Sequence, residues 1–195
     1  MTHLLIILFA YIIGSTPFGL ILTRAAGLGD VRKIGSGSIG ATNVLRTGNK
    51  KLALATLLLD AAKGAVPVLW IEAYGHGGVH LAALAAFLGH LYPFWLGFKG
   101  GKGVATGVGV LLALSWPVGL IACAIWLIVA LIGRISSLAA LVTAAIAPAL
   151  AWHFSTRDTT ATVLIMAVLV FWKHRANIRR LLGGEEPRIG AKQNA

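Results

Sequence analysis

An all-helical membrane bundle of about seven spans is the architecture expected for this chain, on three observations. Of its 195 residues 57% are hydrophobic and 12% charged, and its mean hydropathy is +0.84, more apolar than a soluble globular chain. Apolar runs approaching the ~20 residues needed to cross a bilayer recur from one end to the other. They cover residues 4–22, 52–71, 79–98, 104–115, 118–132, 138–154 and 160–172.

The first run has no basic residues ahead of it and extends past Gly14, longer than the core of a signal peptide, so it is read as a span. The fourth and fifth are the weakest. A helix over 104–115 would rise only about 18 Å, so this segment is expected to be short, tilted or re-entrant. Omitting two crossings would leave both chain ends where they are, so the ends alone do not separate five spans from seven.

Orientation follows from the basic residues, which stay with the cytoplasmic loops. Arg24, Arg32, Lys33, Arg46, Lys50 and Lys51 follow the first run, Lys99 and Lys102 the third, and Arg134 the fifth; Lys173, Arg175, Arg179, Arg180, Arg188 and Lys192 follow the last. The N-terminus is therefore expected outside and the C-terminus in the cytoplasm. The same bias accounts for the net charge of +11 without nucleic acid, for which no motif is present. Residues 1–182 are read as one membrane domain, and 183–195, with Gly183, Gly184 and Pro187, as a mobile cytoplasmic tail. Cys123 is the only cysteine, which excludes an intrachain disulfide and a cysteine-based metal site.

Three polar stretches fall on the expected cytoplasmic side. The first is Gly35-Ser36-Gly37-Ser38-Ile39-Gly40-Ala41-Thr42-Asn43-Val44-Leu45-Arg46. Its glycines let successive backbone N–H groups converge on a phosphate, its hydroxyls and Asn43 add donors, and Arg46 adds a forked permanent charge. Gly35, Gly37 and Gly40 also fit a dinucleotide fingerprint, but that needs a preceding strand, and here the flanks are membrane spans. The second stretch runs from Gly89-His90 to Lys99-Gly100-Gly101-Lys102-Gly103. It is no Walker loop, since Leu96 and Gly103 stand where a glycine and a magnesium-binding hydroxyl belong. The third, Lys173-His174-Arg175-Ala176-Asn177-Ile178-Arg179-Arg180-Leu181, would place His174, Asn177 and Leu181 on one helix face. Each stretch has an ordinary alternative: a surface turn, a snorkelling lysine, or a basic anchor at a membrane border.

Asp60 and Lys63 are spaced to pair inside the second span, where ionisable groups face a bundle interior or a polar cavity. They are expected to line or brace the site. His153 and Asp158 have the spacing of a catalytic pair used by a different acyltransferase superfamily, but the charge rule puts them on the other side, so the spacing is read as chance. Trp95, Trp116, Trp152 and Trp172 stand near span ends as interfacial anchors.

In these motifs, GSGSIGATNVLR, GHLYPFWLGFKGGKG and HRANIRRL, the chain resembles the PlsY family of bacterial integral-membrane acyl-phosphate:glycerol-3-phosphate acyltransferases. It departs at Ser38, where the family commonly has Asn. The resemblance implies transfer of a fatty acyl group from acyl phosphate, not acyl-CoA, to the 1-hydroxyl of glycerol 3-phosphate, giving lysophosphatidic acid and phosphate. It also implies a seven-span protein of the bacterial inner membrane with a cytoplasmic active site and acyl phosphate supplied by a soluble PlsX-type enzyme. No cofactor is expected, and no acidic cluster in the sequence suggests a catalytic metal.

On this reading Ser36, Gly37, Ser38, Thr42, Asn43, Arg46, Lys99, Gly100, Gly101 and Lys102 bind and neutralise phosphates, with Arg46 and Lys102 also offsetting charge on the leaving oxygen. His90, His174 and Asn177 orient the acceptor. The proton acceptor is either His174 or a substrate phosphate. A transporter of a small phosphorylated solute is the competing reading, weakened by the lack of internal repeats and by anion-binding stretches confined to one surface.

Overall fold

The computed structural model describes residues 2–75 and 77–190, and these are helical with connecting loops. The first expected span is broken in two, α1 (His3–Gly14) and α2 (Phe18–Ala25). Pro17 cannot donate to the helical ladder, so α1 closes before it: Ser15 N–H reaches the Tyr11 carbonyl at 2.8 Å, and the Ser15 hydroxyl reaches that of Ile12 at 2.8 Å. A long loop follows, containing the short helix α3 (Ala41–Leu45).

Helix α4 (Lys50–Ala73) starts at Asn49, whose side chain accepts the Leu52 N–H at 3.0 Å. Beyond it come α5 (Val79–Leu91), α6 (Val104–Leu114), α7 (Trp116–Gly133), α8 (Ser136–Phe154), α9 (Arg157–Lys173) and α10 (Arg175–Leu182). Among the described residues five helical segments are long and apolar enough to cross a membrane, with α1 and α2 counted together, or six if α9 and α10 are one span bent by 60°. The difference from the seven expected lies mainly in α6. Its 11 residues rise about 16 Å, half the hydrocarbon thickness.

Small residues let the helices approach closely. A Cβ on Gly14 would collide with the backbone of Ala86, and one on Gly89 with the Tyr11 carbonyl, so α1 and α5 pack backbone to backbone. Gly64 and Gly109 do the same for α4 and α6 against Thr106 and Ala61. Val68, Phe87, Leu91, Val110 and Met166 fill the space between α4, α5, α6 and α9. The outer surface exposes Leu58, Leu131, Ile132 and Val168, the apolar coat of a protein solvated by lipid.

Long-range bonds gather the loops at one end of the bundle. Thr42 Oγ1 lies 3.1 Å from Ser136 Oγ, and Lys173 Nζ donates to the Leu91 carbonyl at 3.0 Å. The tail does not leave freely after α10 as expected. Glu186 accepts from Ser137, Asn177 and Arg180, and Ile189 N–H donates to the Arg134 carbonyl at 2.6 Å; residues 191–195 lie outside the described residues. Replacing Gly89 by Val would overpack the α1–α5 contact, at a cost of about 1–3 kcal/mol. A lowered thermal unfolding midpoint in detergent is expected; an unchanged one would show that the two backbones are not in contact.

Candidate active site

The first polar stretch is held in shape by side chains bonding to its own backbone. Asn43 is buried, and its amide nitrogen donates to the carbonyls of Val31 at 2.8 Å, Ile34 at 3.1 Å and Ser38 at 2.8 Å. Its oxygen accepts the Ser36 N–H at 3.2 Å. Asn43, expected to bind phosphate, instead buckles the loop, because its donors are already taken. Gly35 takes a left-handed φ of 53°, and a side chain there would run into Asn43 and Arg46. At the edge, Asp30 accepts from Arg32 Nη2 at 2.6 Å and Arg24 Nη2 at 2.8 Å. The hydrogen bond from Arg32 holds its carboxyl well below the usual carboxylate range.

The second and third stretches meet through Lys102, whose Nζ donates to Asn177 Oδ1 at 2.7 Å. The turn leading to Lys102 folds back on α5: Gly101 N–H donates to the His90 carbonyl at 3.1 Å and Gly100 N–H to that of Leu91 at 3.3 Å. A Cβ on Gly101 would overlap the His90 ring. Asn177 turns its amide nitrogen to Glu186, which also accepts from Ser137 Oγ at 2.7 Å and Arg180 Nε at 2.7 Å. His174 is buried at the bend between α9 and α10. Its Nδ1 lies 2.8 Å from the Val170 carbonyl; a carbonyl only accepts, so Nδ1 carries the proton and a neutral ring keeps the Nε2 lone pair.

These groups surround one cavity of about 1510 Å³. Ser36, Ser38, Thr42, Asn43, Arg46, Asp60, His90, Lys102, His174 and Asn177 line it. Gly37, Lys63, Lys99, Gly100 and Gly101 do not; Lys99 is exposed, while Gly100 and Gly101 pack on α5. His153 and Asp158 lie at the far ends of α8 and α9, away from the cavity. An apolar arm continues between α4, α6 and α7, walled by Leu54, Leu57, Leu58, Val104, Val108, Leu112 and Trp126.

Ser136, Ser137 and Glu186 also line the cavity and were missed in the sequence. The two serines follow the Gly133-Arg134 break as a helix-start signature. Glu185 and Glu186 form the one acidic pair in an otherwise basic tail.

Burial pushes the Lys102 ammonium down to about 8; Glu186 opposes the fall, and Arg180, Arg46 and Lys173 add to it. Burial pushes the Glu186 carboxyl up, but its bonds from Asn177, Ser137 and Arg180 outweigh this and hold it below its ordinary value. The cavity thus joins Arg and Lys charges to an apolar arm.

Fold and site together define an integral membrane protein whose cavity, at one end of the bundle, joins cationic side chains to an apolar arm. Residues 4–184 match the glycerol-3-phosphate acyltransferase family. The chain is 60% identical over 183 residues to a glycerol-3-phosphate acyltransferase of Cereibacter sphaeroides, covering 93% of this chain and 91% of the relative. With that of Mesorhizobium japonicum it shares 59% identity over 189 residues, 97% of each chain. The crystal structure of PlsY, an integral membrane glycerol 3-phosphate acyltransferase, in its glycerol 3-phosphate form superposes with a TM-score of 0.89 at 38% identity, over 96% of both chains. The lysophosphatidic acid form gives 0.87 at 37%, over 96% of this chain and 95% of that one. This chain belongs to the glycerol-3-phosphate acyltransferase family.

The charge of Lys102 is lost as pH rises through about 8. The KM for glycerol 3-phosphate is therefore expected to rise above that pH. In Glu186→Gln, which removes the influence raising the Lys102 pKa, the rise should begin at lower pH. Superimposable pH profiles for the two proteins would refute this account of Lys102.

Proposed function

We propose that the protein transfers a fatty acyl group from acyl phosphate to the 1-hydroxyl of glycerol 3-phosphate, releasing lysophosphatidic acid and phosphate. The observation that carries this reading is that Arg46 and Lys102 share one cavity with an apolar arm. A phosphorylated acceptor and a donor with both a phosphate and an acyl tail need that combination.

Arg46, Lys102, Ser36, Ser38 and Thr42 hold the phosphates and offset charge growing on the leaving oxygen. Asn177 and His90 shape the acceptor side. The 1-hydroxyl oxygen bonds to the acyl carbonyl carbon, the bond from that carbon to the phosphate oxygen breaks, and the hydroxyl proton passes to His174 Nε2 or to a substrate phosphate. Attack is direct. The hydroxyl with a carboxylate partner, Ser137, donates to Glu186, but three donors keep that carboxylate weakly basic, so it is a poor activator of a serine nucleophile.

The site faces the cytoplasm of a bacterial inner-membrane protein with its N-terminus outside, and α6 and α9 complete seven crossings as short or bent spans. Basic loops at the site end support this side. Residues 1–182 act as the acyltransferase domain, and 183–195 follow as its tail. A soluble PlsX-type enzyme supplies acyl phosphate.

Purified protein in detergent, given labelled glycerol 3-phosphate, is expected to form lysophosphatidic acid from acyl phosphate and none from acyl-CoA. Arg46→Ala should lower kcat/KM about 100-fold, the effect of removing one transition-state donor, while His153→Ala leaves it unchanged. Product from acyl-CoA would sink the donor assignment. His174→Gln is expected to reduce kcat by about 100-fold or more; near-normal turnover would leave the proton to a substrate phosphate.

A further inference from the structure

Asp60 and Lys63 lie one turn apart on α4, and both are buried. Lys63 Nζ is 2.6 Å from Asp60 Oδ1 and donates at 2.7 Å to the Thr16 carbonyl, in the break between α1 and α2. On its other side Asp60 Oδ1 stands 3.8 Å from His90 Nδ1, a buried ring nitrogen without a hydrogen-bond partner. Gly101 packs on the edge of that ring, with no room for a Cβ. Lys102 is the next residue, and its ammonium meets Asn177 at 2.7 Å. An unbroken line of contacts thus runs from the ion pair through the imidazole and the glycine turn to a cation of the site.

Holding α4 against its neighbours needs no charge. Two apolar side chains of similar volume brace helices as well as a buried ion pair, since both charges must first be stripped of solvent. A pair placed against His90 does something that apolar side chains would not: it sets a charge distribution 3.8 Å from the imidazole Nδ1, which biases the ring's orientation electrostatically.

We propose that the buried Asp60–Lys63 pair is a positioning device for Lys102, holding the His90 ring and, through it, the Gly100–Gly101 turn that sets where the ammonium meets phosphate. Resting on the phosphate-binding role given to Lys102 above, it makes Asp60 and Lys63 positioning residues that act through His90, with Asp60 at the cavity wall and Lys63 behind it. Displacing a binding group by about 1 Å is enough to cost on the order of 100-fold in rate.

The near-isosteric double variant Asp60→Asn/Lys63→Met removes both charges and keeps the shape. It is expected to fold, with a detergent unfolding midpoint close to wild type, while kcat/KM falls about tenfold or more. A brace alone would leave kcat/KM normal whatever the midpoint. In a double-mutant cycle with Lys102→Arg the two losses should not multiply, because both act on one contact.

A folded double variant within about twofold of wild type, or losses that multiply in the cycle, would overturn the proposal. Should the double variant fail to fold, Gly101→Ala tests the same line with the pair intact. It pushes the turn off the ring, and a loss of about tenfold or more is expected; wild-type activity there also overturns it. Lack of acyl transfer by the unmodified protein would count against the reaction instead, which keeps the two failures apart.

Discussion

The hydrogen bond from Lys102 to Asn177 is the link on which the site depends. Lys102 belongs to the turn after α5, Asn177 to the first turns of α10, and the two are 75 positions apart in the chain. Without that link the cation would be a flexible side chain at a membrane border, free to snorkel into water. With it, Lys102 is held beside Arg46, and the bend at His174 is fixed because α10 must present Asn177 inward. Asn177 in turn engages Glu186, so the chain beyond α10 is drawn over the cavity.

Close packing of the helices makes this arrangement rigid. In lipid the hydrophobic effect does not drive helices together, so contact relies on shape and on backbone approach. Glycines at 14, 89, 64 and 109 bring α1 to α5 and α4 to α6. α4 and α5 meet through the core that holds Val68, Ala83 and Phe87, and His90 and Asp60 come within 3.8 Å. The glycines of the Lys102 turn serve the same purpose: Gly100 and Gly101 make room for α5 rather than cradle phosphate, which explains why they do not line the cavity.

The helical class, the polar stretches and many of the polar cavity residues were legible in the sequence, because hydropathy and clustered Gly, Ser and cations are local signals. Arg46, Lys102, His174 and Asn177 all come to one cavity. What was not legible depends on three-dimensional partners. Asn43 looks like any polar loop donor until Val31, Ile34 and Ser38 are seen to take its amide. Glu186 sits in a Gly-rich tail whose composition reads as mobile, and only Ser137, Asn177 and Arg180 make it part of the site. The break at Pro17 was marked by its Gly-Ser-Thr-Pro run, but the surrounding hydropathy was strong enough to read across it. The length of α6 was visible, yet a helix of 11 residues belongs in a span count only when its neighbours complete the crossing.

A carboxylate in a cavity proposed to take phosphate needs a physical reason, since Glu186 would repel a phosphate. The reason lies in its neighbours. Burial pushes Lys102 toward its neutral form, and Arg180, Arg46 and Lys173 push it further. Glu186 is the influence that raises the Lys102 pKa, while its own charge is satisfied by Asn177, Ser137 and Arg180. A carboxylate so engaged acts on Lys102 more than on an incoming phosphate: it keeps the ammonium protonated near neutral pH and orients the amide that holds it. A cavity lined by cations alone would have a stronger field on paper and a weaker one in practice, because Lys102 would give up its proton first.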